Sequence, residues 1–222
     1  MRRFAFDSLN WHGYCGNNPV NFRDEFGLSA SDKTSIKIDY QFIKDHEGEL
    51  LLDGYVPQDK NGKVLGKSGV TIASGFDIGQ KSPQEIKNIF KNDPTLISTF
   101  LPYVGVQKND AVKLLETKPL SITLQQAQKT DDLIMNYQTT RLENIYGNRT
   151  KSDFSSLPAN VQTAVADAAF QYGPSSKNLT TVYTQTAQGN YSGAATSLQN
   201  LGKAEPAYAS RRNDEANLLL AK

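Results

Sequence analysis

The stretch DHEG places Glu47 where a helical pattern stops at Gly48. Ile43 lies four residues earlier, so the two side chains project from one face of that helix, beside Phe42. Apolar surroundings disfavour a carboxylate anion, and the partial negative charge at a helix C-terminus pushes the same way. A carboxyl held protonated is what a general acid needs. The plain alternative is a glutamate at a frayed helix end whose stem covers apolar surface. His46, its neighbour, is assigned no role.

A second stretch, GVTIASGFDIG over residues 69–79, carries a hydroxyl in Thr71 and a carboxylate in Asp77. Their even separation puts both on one face of a strand, but a straight strand of that length spans about 20 Å. They share a site only if the chain bends between them, and Ser74-Gly75 is the natural place for the bend. With it, a carboxylate and a hydroxyl converge opposite Glu47. Without it, Thr71 is an ordinary β-former and Asp77 a turn residue.

The elements that must position these groups are legible to different degrees. Asp39 caps a first helix, with Ile38 and Ile43 spaced as a hydrophobic staple, and this helix is expected to run through Glu47. From Gly54 to Gly79 the chain carries six glycines and short β-type pieces, which predicts a small sheet of hairpins. From residue 82 onward helices dominate. Ser82-Pro83-Gln84-Glu85 is a capping box with proline at the first helical position, and Thr123 with Gln126 opens a long helix to about Tyr146. Val161, Ala164, Val165, Ala168 and Ala169 follow a helical period, and Gly173-Pro174 ends that helix. Two more helices are expected over about 191–201 and 206–220. The fold class is therefore α+β: mostly helical, with a small β-hairpin lobe after the first helix.

Composition excludes several alternatives. The chain has 222 residues, 38% of them hydrophobic and 21% charged, which suits a globular protein. A formal net charge of +1 offers no electrostatic case for nucleic acid. No apolar run reaches membrane-spanning length, and the opening MRRFAFDSLNWHG lacks the apolar core of a secretory signal. Cys15 stands alone, so an internal disulfide is ruled out; with only His12 and His46 besides, a metal site is poorly supplied. No cofactor is expected.

HEG, then GYVP, then GVTIASGFDIGQ resemble the lysozyme-like domain of pesticin-type bacterial toxins, a group related to the phage-type lysozymes. The resemblance covers about residues 36–222. LPANVQTAVADAAFQYG is similar to the buried helix of the phage enzymes, and RRNDEANLLL to the RR..E..L close of many endolysins. It implies a lysozyme-like fold and a muramidase that cuts the β-1,4 bond between N-acetylmuramic acid and N-acetylglucosamine in the peptidoglycan glycan strand. By position, Glu47 matches the family acid, Thr71 the active-site threonine and Asp77 the catalytic aspartate. Phage enzymes place the aspartate earlier, where this chain has Asp59, so Asp59 stands as the alternative. Tyr55, Gln80 and Gln171 are candidates for lining the cleft. A non-catalytic peptidoglycan-binding module, a lytic transglycosylase and a chitinase-like glycosidase are the competing readings.

Residues 1–28 differ in character, rich in aromatics, Asn, Gly and Arg; GNNPVNF and the closing D..GL resemble the C-terminal end of an Rhs core. The small polar stretch 29–35 reads as a linker before a toxin domain at 36–222. This resemblance implies synthesis in the cytoplasm without a signal peptide, export by type VI (Rhs/VgrG) secretion machinery, action in the periplasm of a rival bacterium, and a cognate immunity protein. Where that family carries Asp-Pro cleavage signatures, this chain has Asp7-Ser8 and Asp24-Glu25, which leaves self-cleavage after Leu28 open.

Overall fold

A computed structural model describes residues 35–221 of the chain. The first helix, α1 (Tyr40–His46), begins as its cap predicts: the Asp39 carboxylate accepts from the backbone N–H groups of Gln41 and Phe42. It stops one residue earlier than expected. Glu47 has left the helix for an extended conformation, φ −83° and ψ 167°, while its N–H still bonds the carbonyls of Ile43 and Lys44. The acid thus sits on the cap rather than within the helix.

Three strands follow, β1 (Leu51–Tyr55), β2 (Thr71–Ala73) and β3 (Phe76–Asp77), forming an antiparallel sheet in that order. Tyr55 pairs with Thr71, and Thr71 in turn with Asp77. The chain bends at Ser74-Gly75, so the two residues that a straight strand would hold apart are register partners across a tight hairpin. Gly75 has φ +96° and Ala73, unusually for a residue with a side chain, φ +53°. Only the central strand is buried at every position, because it is covered on both edges.

The remainder is helical: α2 (Pro83–Ile89), α3 (Pro94–Phe100), α4 (Lys108–Thr117), α5 (Leu124–Thr150), α6 (Ala159–Tyr172), α7 (Thr180–Ala187), α8 (Tyr191–Ala204) and α9 (Ala209–Leu220). Both capping boxes form, Ser82 with Glu85 and Thr123 with Gln126. α5 runs past Tyr146 to Thr150 because Lys151 ends it in the left-handed region, φ +61°, with no glycine to mark the stop. One core lies under the sheet, where Phe76, Phe90 and Phe100 meet with ring centroids 5.2–6.0 Å apart. The other surrounds α6, whose residues are buried continuously from Val161 to Ala169. A helix buried on all sides needs small or apolar residues throughout, which accounts for its alanines. Its polar members are satisfied: Gln162 donates to the carbonyls of Ser155 and Leu157 and accepts from Lys37 N–H, while Thr163 Oγ1 accepts from Asp39 N–H. These last two bonds tie the start of α1 to α6.

Among the described residues the fold is mostly helical with a small antiparallel sheet, as the sequence predicts, and no helix is long and apolar enough to cross a membrane. Lys37–Lys222 forms one compact unit. The Rhs-like segment 1–28 lies outside the described residues, as does the linker over 29–34.

Candidate active site

Glu47 and Asp77 line the same cleft, a cavity of about 250 Å³ whose other walls include Ile43, Ser74, Gln80, Asp131, Met135 and Phe170. α1 supplies Glu47 at its cap, the hairpin β2–β3 supplies Asp77, and α5 supplies the wall between them.

The Asp77 carboxylate is fixed from two sides. Both of its oxygens lie within 3.3 Å of Gly69 N–H, and Oδ2 accepts from Gln80 Nε2 at 2.6 Å. The Gly69 amide can approach because Gly69 and Gly79 cross at their Cα atoms: a Cβ on either would collide with the other and with the Val106 carbonyl oxygen. Thr71 is 2% exposed and does not line the cleft. Its hydroxyl donates to the Gly69 carbonyl at 3.2 Å, so the hydroxyl is linked to the Asp77 carboxylate through the Gly69 peptide, although the two backbones pair directly. The physical reason is its place in the buried central strand. Tyr55, also outside the cleft wall, has its phenol pKa raised, first by burial and then by the charge on Asp77.

Glu47 is not in the apolar setting that the sequence suggested. Its side chain is 29% exposed, and its Oε1 accepts from Arg211 Nη2 at 2.9 Å. Arg211, from α9, is itself buried and makes a two-pronged pair with Asp167 of α6, at 2.6 and 3.0 Å. Its Nη1 donates to the His46 carbonyl and to Gln171 Oε1. Burial works against this cation; the bonds from Asp167 and Glu47 outweigh it and raise the Arg211 pKa. Gln171 therefore serves the guanidinium rather than the cleft wall. Asp59 is outside the cleft as well, its carboxylate accepting from the N–H groups of Asn61 and Lys63 in a local turn.

Behind Asp167 lies a second pair, Arg212 and Glu215, 2.6 Å apart and fully buried, with Arg212 stacked 5.0 Å over the Tyr172 ring. The Glu215 carboxyl is pushed up to about 10, first by burial and then by its hydrogen bond with Asp167. The sign follows from linkage: a carboxyl whose pKa is higher in the fold than in the unfolded chain binds an extra proton on folding. Stability is then expected to fall as pH rises from the ordinary 4.5 towards about 10. Glu215→Gln removes the titrating carboxyl and should flatten that dependence; urea unfolding of both proteins at about pH 5, 7 and 9 measures it.

Sequence reasoning missed Arg211, Asp167 and Asp131. The RR..E..L close was the visible signal for the first, and a lone acid in the apolar run VADAAF for the second; nothing in the polar start of α5 distinguished the third.

A family model described as "Bacterial toxin homologue of phage lysozyme, C-term", the pesticin model, matches residues 37–192. The chain belongs to the pesticin family. The match covers most of the chain and contains Glu47, Thr71 and Asp77, while α9 and its Arg211 lie beyond it. No curated protein matches the chain. As a pesticin-family domain it is a phage-lysozyme-like bacterial toxin domain, and a mostly helical fold with a small three-stranded sheet suits that membership.

Proposed function

We propose that this domain is a muramidase that hydrolyses the β-1,4 bond between N-acetylmuramic acid and N-acetylglucosamine in peptidoglycan, and that it acts as an antibacterial toxin in the periplasm of rival bacteria. The observation that carries the reading is the single cleft, in a pesticin-family domain, that presents Glu47 from one wall and Asp77 from another. Glu47 is the general acid. Arg211 occupies its Oε1, which leaves Oε2 for the glycosidic oxygen. Asp77, held by Gly69 N–H and Gln80, orients and activates the water that attacks the sugar. Thr71 supports Asp77 through the Gly69 peptide rather than by touching the water. Asp59 is set aside as the base because its carboxylate closes a turn away from the cleft.

Delivery through Rhs and type VI machinery, and neutralisation by an immunity protein, rest on the sequence resemblance of residues 1–28 and on the toxin family. The test is digestion of purified peptidoglycan by the full chain, with borohydride reduction and mass analysis of the products. Reducible muramic acid ends are expected. Anhydro-muramic ends would instead make it a lytic transglycosylase and remove the base from Asp77; binding to sacculi without any product would make it a glycan-binding module.

A further inference from the structure

The tip of the hairpin is an awkward piece of chain. Ala73 is fully buried at φ +53°, a left-handed conformation that is strained for a residue with a Cβ. Such a conformation persists where its surroundings hold it. The next residue, Ser74, is bonded to Asp131, on the cleft face of α5: Oδ2 accepts from the Ser74 hydroxyl at 2.7 Å and Oδ1 from Ser74 N–H at 3.3 Å. Asp131 is buried, and its carboxyl pKa is raised by that burial. The adjacent Asp132 reaches the other way, to Lys44 of α1 at 3.6 Å, so consecutive residues of α5 grip the elements carrying Asp77 and Glu47. The two grips are unequal. Lys44 and Asp132 are both largely exposed and such pairs contribute little, whereas the Asp131 bonds lie in the cleft wall.

We propose that Asp131 is a positioning residue: by latching Ser74 it sets the hairpin against α5 and thereby sets Asp77 across the cleft from Glu47. The proposal rests on the muramidase reading for its catalytic consequence, but not for the latch itself. Asp131 also lines the cleft, so the test must separate positioning from contact with substrate.

The experiment compares the full chain with Asp131→Ala, Asp131→Asn, Ser74→Ala and the double variant Asp131→Ala/Ser74→Ala. Two readouts are taken: steady-state cleavage of soluble peptidoglycan glycan fragments, and amide hydrogen exchange across Thr71–Asp77 and across α6. Misplacing a catalytic group by an ångström costs about 10²-fold, so Asp131→Ala is expected to lower kcat by about 10–100-fold. KM should stay within about twofold of wild type. Ser74→Ala should lose part of the same rate, with the double variant no slower than Asp131→Ala because both act through one interaction. Asp131→Asn, which keeps one acceptor oxygen, should fall between wild type and Asp131→Ala. Exchange in the hairpin should accelerate in each variant while α6 keeps its protection. Ser74→Ala, which removes one exchangeable bond at a loop tip, keeps the question decidable if Asp131→Ala unfolds. Unchanged hairpin exchange overturns the latch. Faster exchange with wild-type kcat overturns the positioning role, and a raised KM with kcat unchanged makes Asp131 a substrate contact instead. A wild-type chain that releases no fragments overturns the muramidase reading and the catalytic consequence with it, and hairpin exchange then decides the latch alone.

Discussion

Glu47→Gln is expected to slow glycan cleavage by about 10³-fold or more, within the range that a positioned general acid contributes, and to leave the thermal unfolding midpoint close to wild type. The structure explains why the fold should survive. The amide oxygen of glutamine still accepts from Arg211 Nη2, and Arg211 keeps its two-pronged pair with Asp167. What the amide cannot do is release a proton to a leaving oxygen, a deficit of about 4 kcal/mol in the barrier. Release of reducing ends from peptidoglycan, measured beside a melting curve, separates the two effects. Cleavage within about tenfold of wild type would remove Glu47 from the role of acid.

The largest expected effect on stability is at Arg211. Replacing it by methionine leaves Asp167, which is 0% exposed, as a buried charge deprived of its two-pronged partner, and frees Glu47, Gln171 and the His46 carbonyl from their shared donor. Breaking a buried pair from one side costs about 3–5 kcal/mol. Adding Asp167→Asn to Arg211→Met should return part of that loss by removing the stranded charge. Urea unfolding of the single and double variants tests both statements. A loss below about 1 kcal/mol would mean that the pair behaves as a solvated surface bridge.

Local chemistry was legible; distant partnership was not. The Asp39 cap, the two capping boxes and the bend at Ser74-Gly75 each follow from a few adjacent residues, and each forms where the sequence places it. The end of α5 was misjudged because a left-handed lysine cap has no composition signature. Glu47 was expected to meet apolar groups on the strength of its helical face, but its backbone leaves the helix at that residue and its partner comes from α9. Thr71 looked like a cleft residue by its register with Asp77, yet the central strand is covered on both edges. Periodicity reports which face of an element is apolar; it is silent on which remote cation closes over it. Ala73 at φ +53° had no signal in the sequence either, nor did the bonds from the next residue, Ser74, to Asp131 of α5.

Arg211 lies 164 residues downstream of Glu47. Ribosomes add about 5–20 residues per second, so α1 leaves the exit tunnel roughly ten to thirty seconds before the helix that must hold its acid. By the end of that interval the nascent chain has gained every cleft residue named above, Phe170 last, while the guanidinium bonded to Glu47 is still missing. The acid is therefore not assembled until Arg211 has emerged, and a translation product stopped before that residue would hold a disarmed cleft.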